Sequence, residues 1–282
     1  EAIDFAWADG DGDGHLDLFL ADHDAPEAVL LAYRGDGQGG FEAAGEIAVA
    51  AIPHTHTVAA ADFDGDGRTD LAVGEDTSIS GTGAVRVFLG TVRGERVSTD
   101  ADVTLYGESS GGQAGQSLAS FADVNGDGYA DLAAAAPDDS HAVGTGSVYL
   151  IWGSASLIDT SLSDADIKLR GDLSDERTGV RAVNPGDLDL DGHDELVVTS
   201  RAEDHTVRAY LYFGPFTAAQ VLGASSDAHV MMEADADTDS AFEAVVSVDS
   251  NADGVLDLLL GAPEDDASSL RGLVYIAEGI GF

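Results

Sequence analysis

The chain has 282 residues, 44% of them hydrophobic, with 53 acidic against 12 basic side chains, a formal net charge of -41 and no cysteine. That balance repels phosphates and argues against nucleic acid or an anionic membrane as partner; the missing thiols exclude a disulfide scaffold, zinc–thiolate sites and a cysteine nucleophile. No apolar run approaches the ~20 residues of a membrane span, so no membrane insertion is expected.

The chain opens almost directly on a strand with no visible secretory signal, and the expectation is a leader trimmed from its start. An acid-rich loop follows, Asp9-Gly-Asp11-Gly-Asp13-Gly14-His15-Leu-Asp17, then apolar strands at Leu18–Leu20 and Val29–Tyr33 and a more polar one at Glu46–Val49. The second unit begins with the small residues Val58–Ala61 and the loop Asp62-Phe-Asp64-Gly-Asp66-Gly67-Arg68-Thr-Asp70. Strands are expected at Leu71–Val73, Ala84–Leu89 and Asp102–Tyr106. In the third, Ser117–Ala122 leads into Asp123-Val-Asn125-Gly-Asp127-Gly128-Tyr129-Ala-Asp131, with strands at Leu132–Ala135, Ser147–Trp152 and Asp166–Leu169. The fourth loop is Asp187-Leu-Asp189-Leu-Asp191-Gly192-His193-Asp-Glu195, before strands at Leu196–Val198, Val207–Phe213 and His229–Met232. The fifth is Asp249-Ser-Asn251-Ala-Asp253-Gly254-Val255-Leu-Asp257, before Leu258–Leu260 and Leu273–Ile276, where the unit ends after its third strand.

First loop residues lie 53, 61, 64 and 62 positions apart, a period that means a structural array. Short β-branched and aromatic runs, Gly-rich turns and no 12-residue amphipathic helix give an all-β chain. Four antiparallel strands per unit, repeated radially, make a β-propeller blade. Small residues in the first strand suit an axis where all innermost strands converge. The expected fold is a single propeller domain over 1–282, with five blades approximately at 1–41, 42–94, 95–155, 156–216 and 217–282, the last incomplete and the acidic loop between strands 1 and 2 of each.

Calcium takes six to eight oxygen ligands. Side chains at loop positions 1, 3 and 5 can point at one centre, glycine at 6 permits the sharp turn, and position 7 offers its backbone carbonyl while the acid at 9 closes the cage. The expected ligands are therefore Asp9, Asp11, Asp13, His15 and Asp17; Asp62, Asp64, Asp66, Arg68 and Asp70; Asp123, Asn125, Asp127, Tyr129 and Asp131; Asp187, Asp189, Asp191, His193 and Glu195; and Asp249, Asn251, Asp253, Val255 and Asp257. His15, Arg68, Tyr129, His193 and Val255 would act through their carbonyls, giving about five Ca2+ sites. One such loop could be a solvated Asp-Gly turn; five at one period favour the cation. Five ions would bring the net charge only from -41 to -31, so a solvated acidic surface must carry the rest.

Other motifs are weaker. Gly107-Glu-Ser109-Ser-Gly111 matches G-x-S-x-G, but a nucleophile elbow needs a helix after the serine, and a Gly-rich connection follows instead. His54-Thr-His56 has no third metal ligand. Arg34-Gly35-Asp36 and Arg170-Gly171-Asp172 sit at strand ends, where Gly-Asp is ordinary turn chemistry. Trp152, Tyr210 and Tyr212 read as core between blades. No catalytic residue is assigned.

The sequence resembles the FG-GAP repeats of integrin α-subunit propellers and the related VCBS-type bacterial repeats. Asp257-Leu-Leu-Leu-Gly261-Ala262-Pro263 matches the consensus that follows the acidic loop, Asp131-Leu-Ala-Ala-Ala-Ala-Pro137 nearly does, and Gly35–Phe41 through Asp62–Gly67 is similar to the VCBS form. Departures are a degraded Phe-Gly pair (Phe242-Glu243, Gly115-Gln116) and loss of Gly-Ala-Pro in repeats 1, 2 and 4. Propellers of this family usually have seven blades, so the chain is either a compact five-bladed ring or part of a larger propeller; the ring is favoured. The resemblance implies a calcium-binding, extracellular or cell-surface adhesion module, secreted and bacterial, not an enzyme, monomeric rather than oligomeric. Its protein or glycan ligand would meet the variable stretches Asp76–Gly83, Asp138–Gly146 and Glu264–Gly272 on a propeller face. The alternatives are a carbohydrate-active enzyme or lectin-like accessory domain, and a fragment of a propeller assembled from several chains.

Overall fold

The computed structural model describes residues 2–22, 29–48, 55–77, 81–90, 96–139, 145–173, 176–217, 220–234, 242, 244–262 and 273–279. The chain is an all-β propeller of five blades. Blade 1 comprises β1 (Ala2–Ala8), β2 (Asp17–Asp22), β3 (Val29–Gly35) and β4 (Phe41–Ala48). Blade 2 comprises β5 (Thr55–Ala61), β6 (Asp70–Glu75) and β7 (Ala84–Phe88); after the two-residue β8 (Arg96–Val97) it closes with β9 (Val103–Tyr106). Blade 3 has β10 (Ser117–Phe121), β11 (Asp131–Ala136), β12 (Ser147–Ile151), the short β13 (Thr160–Ser161) and β14 (Ile167–Arg170). Blade 4 has β15 (Glu176–Val183), β16 (Leu196–Ala202), β17 (Val207–Tyr212), the short β18 (Gln220–Gly223) and β19 (Val230–Glu233). Blade 5 has three described strands, β20 (Ala244–Val248), β21 (Asp257–Ala262) and β22 (Leu273–Ala277).

Within each blade the long strands pair antiparallel in sequence order, so each acidic loop spans the first two strands of its blade. The fourth strand of blade 1 starts at Phe41, earlier than the polar pattern from Glu46 indicated. The Asp36 carboxylate accepts N–H bonds from Gln38 (2.7 Å) and Gly40 (2.8 Å), tightening the turn so that pairing resumes at once with Gly35 opposite Phe41.

Alternating side chains put one face of each blade against each neighbour. The middle strands β6 and β11 are buried at all six positions, covered by a blade on either side. Four apolar seams result. Phe19, Leu30, Leu71 and Val73 join blades 1 and 2; Val85, Leu105, Leu132 and Tyr149 join blades 2 and 3. Leu150, Ile167, Tyr210 and Tyr212 join blades 3 and 4, and Val197, Leu211, Leu258 and Leu260 join blades 4 and 5. Among the described residues no fifth buried cluster joins blade 5 to blade 1. These two blades instead expose Phe5, Trp7, Val246, Val248, Val274 and Ile276. The innermost strands of all five blades nevertheless surround one cavity of about 600 Å³, lined by small side chains such as Ala59 and Ala119 and by the larger Phe5 and Trp7, with Asp4, Arg181 and Asn184 among its polar groups.

Candidate metal centres

Each acidic loop is built by its own carboxylates. The first aspartate caps the turn: Asp9 accepts N–H bonds from Gly12, Asp13 and Gly14 at 2.8–3.1 Å. Asp62, Asp123, Asp187 and Asp249 likewise accept from the residues at positions 5 and 6 of their loops. The third residue accepts the N–H of the fifth at 2.8–3.1 Å, through Asp11, Asp64, Asn125, Asp189 or Asn251. The fifth accepts the N–H of the seventh at 2.8–3.0 Å, which orients His15, Arg68, Tyr129, His193 and Val255. These Asx turns have a competing local bond available to every short acid, which keeps the segment out of the strand ladders.

Two positions in the loop are left-handed. Glycine at position 6 has φ of 82–93° in all five copies. Position 4 is left-handed as well, occupied by Gly12, Gly65 and Gly126 but by Leu190 (φ 64°) and Ala252 (φ 63°) in loops 4 and 5. The sequence reading assigned that demand to position 6 alone.

The ninth residue differs from the other acids. Asp17, Asp70, Asp131, Glu195 and Asp257 are all buried, and the four aspartates knit their loops to the end of the blade's third strand. Asp131 accepts from Val124 N–H at 2.7 Å and from Gly153 N–H at 2.9 Å. Asp17 takes Gly10 and Gly35, Asp70 takes Phe63 and Gly90, and Asp257 takes Ser250 and Gly279. The glycine is needed for space: a Cβ on Gly153 would lie 2.1 Å from the Ala130 carbonyl oxygen, and one on Gly35 2.1 Å from that of Leu16. This acid–glycine pairing in four of the five loops escaped the sequence reading, although a glycine 18–22 residues beyond the ninth acid recurs in every repeat.

The gathered oxygens suit a hard cation. Ligand atoms of Asp9, Asp11 and Asp13 lie within 4.8 Å of one another, as do those of Asp62, Asp64 and Asp66, and those of Asp187, Asp189, Asp191 and Glu195. Glu195 joins its cluster because it is one methylene longer than the aspartates. Its Oε2 takes the Leu188 N–H, and its buried Oε1 has no hydrogen-bond partner. Burial first, and then neighbouring Asp189 and Asp187, push the Glu195 carboxyl up to about 7. Burial likewise lifts Asp70 and Asp131 to about 6, with the loop acids adding to the shift and backbone N–H bonds opposing it. Divalent charge would relieve this repulsion, and the all-oxygen donor set matches calcium chemistry. In loops 3 and 5, Asn125 and Asn251 supply a neutral oxygen within the same bonding pattern. Arginine guanidinium groups already neutralise part of the charge, Arg34 on Asp11 at 2.5 Å and Arg68 on Asp66.

The other singled-out motifs have structural places. Asp172 accepts from Ser225 and Ser226 N–H at 2.9 Å each and from Ser225 Oγ at 2.7 Å, fastening a turn of blade 4, while Arg170 faces Glu108 at 3.7 Å. Ser109 lies in a turn in which its carbonyl accepts the Gly112 N–H. His56 Nε2 lies 4.0 Å from Asp76; His54, Pro263 and the stretch Glu264–Gly272 fall outside the described residues. Tyr210 and Tyr212 are core side chains, and Trp152 is half-buried.

At the end of the blades away from the acidic loops the described residues form polar clusters that the sequence reading missed. Arg86 bridges Glu75 (3.1 Å) and Thr104 (2.9 Å); Tyr149 OH donates to Asp139 and Glu108. Arg177 forks onto Asp138, and the buried Glu176 takes Ser200, Tyr210 and Arg208.

Comparison with known proteins agrees with this construction. The FG-GAP-like repeat family matches residues 9–73 and the FG-GAP repeat family residues 114–151. Integrin alpha-5 of Xenopus laevis is 27% identical over 164 residues, covering 54% of this chain and 15% of that protein. Integrin alpha-PS5 of Drosophila melanogaster is 30% identical over 166 residues, 56% of this chain and 15% of its own length. Integrin alpha-IIb of Mus musculus is 37% identical over 90 residues, 29% of this chain and 9% of the relative. The matched regions thus span a small part of each relative.

Proposed function

Starting from a chain that is an integrin-like FG-GAP-repeat β-propeller, we propose that it is an extracellular ligand-binding or adhesion module whose five loops hold structural calcium. The observation that carries the calcium reading is the fourth loop, where a fully buried carboxylate oxygen without a hydrogen-bond partner belongs to a residue gathered with three aspartates. Asp187, Asp189, Asp191 and Glu195 would hold the ion there, and the acids and Asn residues at positions 1, 3 and 5 would do so elsewhere. The ion would supply charge neutralisation that holds each β–β connection in shape. In this reading the chain is not an enzyme, and it acts as a monomer on the outside of the cell.

The ligand is assigned to the face opposite the loops, where Arg177 forks onto Asp138, Arg170 faces Glu108 and Arg86 pairs with Glu75 near the variable turns. A protein ligand fits the mixed charge of this face; a glycan ligand belongs to the same proposal. Calorimetric titration of the chelated protein with calcium tests the first part, with about five ions bound per chain expected. No heat and no change in melting temperature would overturn it. For the second part, an array of extracellular proteins and glycans is probed with the chain and with Arg177→Ala. A ligand lost with that change supports the face, and one bound equally by both places the site elsewhere.

A further inference from the structure

Three outer strands in this propeller do not end their sheets. Each receives one more strand, in parallel, from the blade that follows: β4 takes β8 (Ile47 opposite Arg96), β9 takes β13 (Leu105 opposite Thr160), and β14 takes β18 (Ile167 opposite Gln220 through Arg170 opposite Gly223). The strap also plugs the seam. In seam 2/3 the plug is Leu162, fully buried, with Leu157 beside it. In seam 3/4 it is Phe216, 4% exposed, with Leu222 packed against the same core. Each of these two straps is anchored where it leaves the third strand, by Ser154 N–H to the Phe63 carbonyl (2.9 Å) and by Phe216 N–H to the Val124 carbonyl (3.0 Å). Phe63 and Val124 directly follow the first aspartate of their loops, as Leu188 does in blade 4.

The corresponding seat on blade 4 holds no strap among the described residues, and its sheet ends at β19. Val230 and Met231 on this edge are 39% and 53% exposed. Where Leu162 and Phe216 sit in the other seams, a cavity of about 260 Å³ lies here, lined by Leu188, Leu211, Phe213, Val230, Met232 and Leu256. An apolar cavity of about 150 Å³ already admits a benzene ring, so this one has room for a phenylalanine side chain.

We propose that β19 and this cavity form a receptor for an extended segment of another polypeptide. The segment adds to the sheet in parallel, as the three internal straps do, and sets one phenylalanine- or leucine-sized side chain in the cavity. Main-chain bonds to the strand edge give affinity and the anchor gives selectivity. The net charge of -41 and Glu278 in the cavity's lining select an uncharged or basic segment over an acidic one.

The test uses a fluorescent synthetic peptide copying the internal strap of residues 216–224 (Phe-Thr-Ala-Ala-Gln-Val-Leu-Gly-Ala), added to the 282-residue chain in calcium-containing buffer. Saturable one-to-one binding in fluorescence polarisation is expected, with slowed hydrogen exchange over Val230–Glu233. Binding should weaken at least tenfold when the peptide carries Phe216→Asp or the chain carries Met232→Glu, and should survive Met231→Glu on the opposite side of the strand. If Met232→Glu does not fold, the peptide substitution decides, since it leaves the chain untouched. Equal binding of both peptides, or none at millimolar concentration, overturns the proposal. So does an edge already protected in the free chain: at the mass of one chain this would mean that the chain covers its own edge, and at twice that mass that a second copy does.

Discussion

Leu190 shows how much a single backbone position carries. At φ 64° and 59% exposed it occupies a conformation that costs a side-chain-bearing residue about 1 kcal/mol, and its neighbours do not reward it with packing. Leu190→Gly is expected to stabilise the protein by about 0.5–1 kcal/mol in urea titrations, and Gly126→Leu to destabilise it by about 1–2 kcal/mol. Asp131 and Asp127 separate two roles within one loop. Removing Asp131 in Asp131→Ala strands the Val124 and Gly153 N–H groups in the interior. It should cost about 2–4 kcal/mol with calcium or with chelator. Asp127→Ala should cost mainly in calcium, and the two denaturation curves with and without chelator discriminate between them. The sequence announced the loop through the spacing of its acids. It could not distinguish the ninth residue from the others, because that difference lies in partners some twenty residues away. Asp172 gives a pH signature: its bonds to Ser225 and Ser226 hold its carboxyl below the ordinary 3.8 despite some burial. The stability it contributes is therefore present above the ordinary carboxylate pKa and lost as pH falls through the depressed value. The gap between wild type and Asp172→Ala should close on acidification.

At the scale of elements, alternation and loop period made the long strands of each blade legible, because a strand buried on one or both faces writes that burial into its side chains. The straps β8, β13 and β18 left no such mark. They are two to four residues long, and their parallel pairing is decided by a neighbouring blade. Leu162 nevertheless matters as much as a central-strand residue, and Leu162→Ala is expected to destabilise by about 2–4 kcal/mol in thermal or chemical unfolding. The far-end clusters around Arg86, Tyr149 and Glu176 were equally hidden, since they join acids and bases from different strands of a blade. Their burial makes each polar group dependent on its partners.

For the molecule as a whole, charge and topology act together. Each of the proposed calcium sites, if filled at a hundred times its Kd, would add about 2.7 kcal/mol to the folded state, so chelation should lower the melting temperature sharply. Sodium chloride should recover part of the loss by screening carboxylate repulsion, and should matter less when calcium is present. Five blades joined by four apolar seams also have a consequence for how the protein comes apart. Among the described residues, blades 2, 3 and 4 each lean on two neighbours, whereas blades 1 and 5 lean on one. The chain is then a short nearest-neighbour array in which opening begins at the ends and travels inward. Amide exchange should run fastest in β1 and β22 and slowest in β11, giving the circle of blades a beginning, a middle and an end.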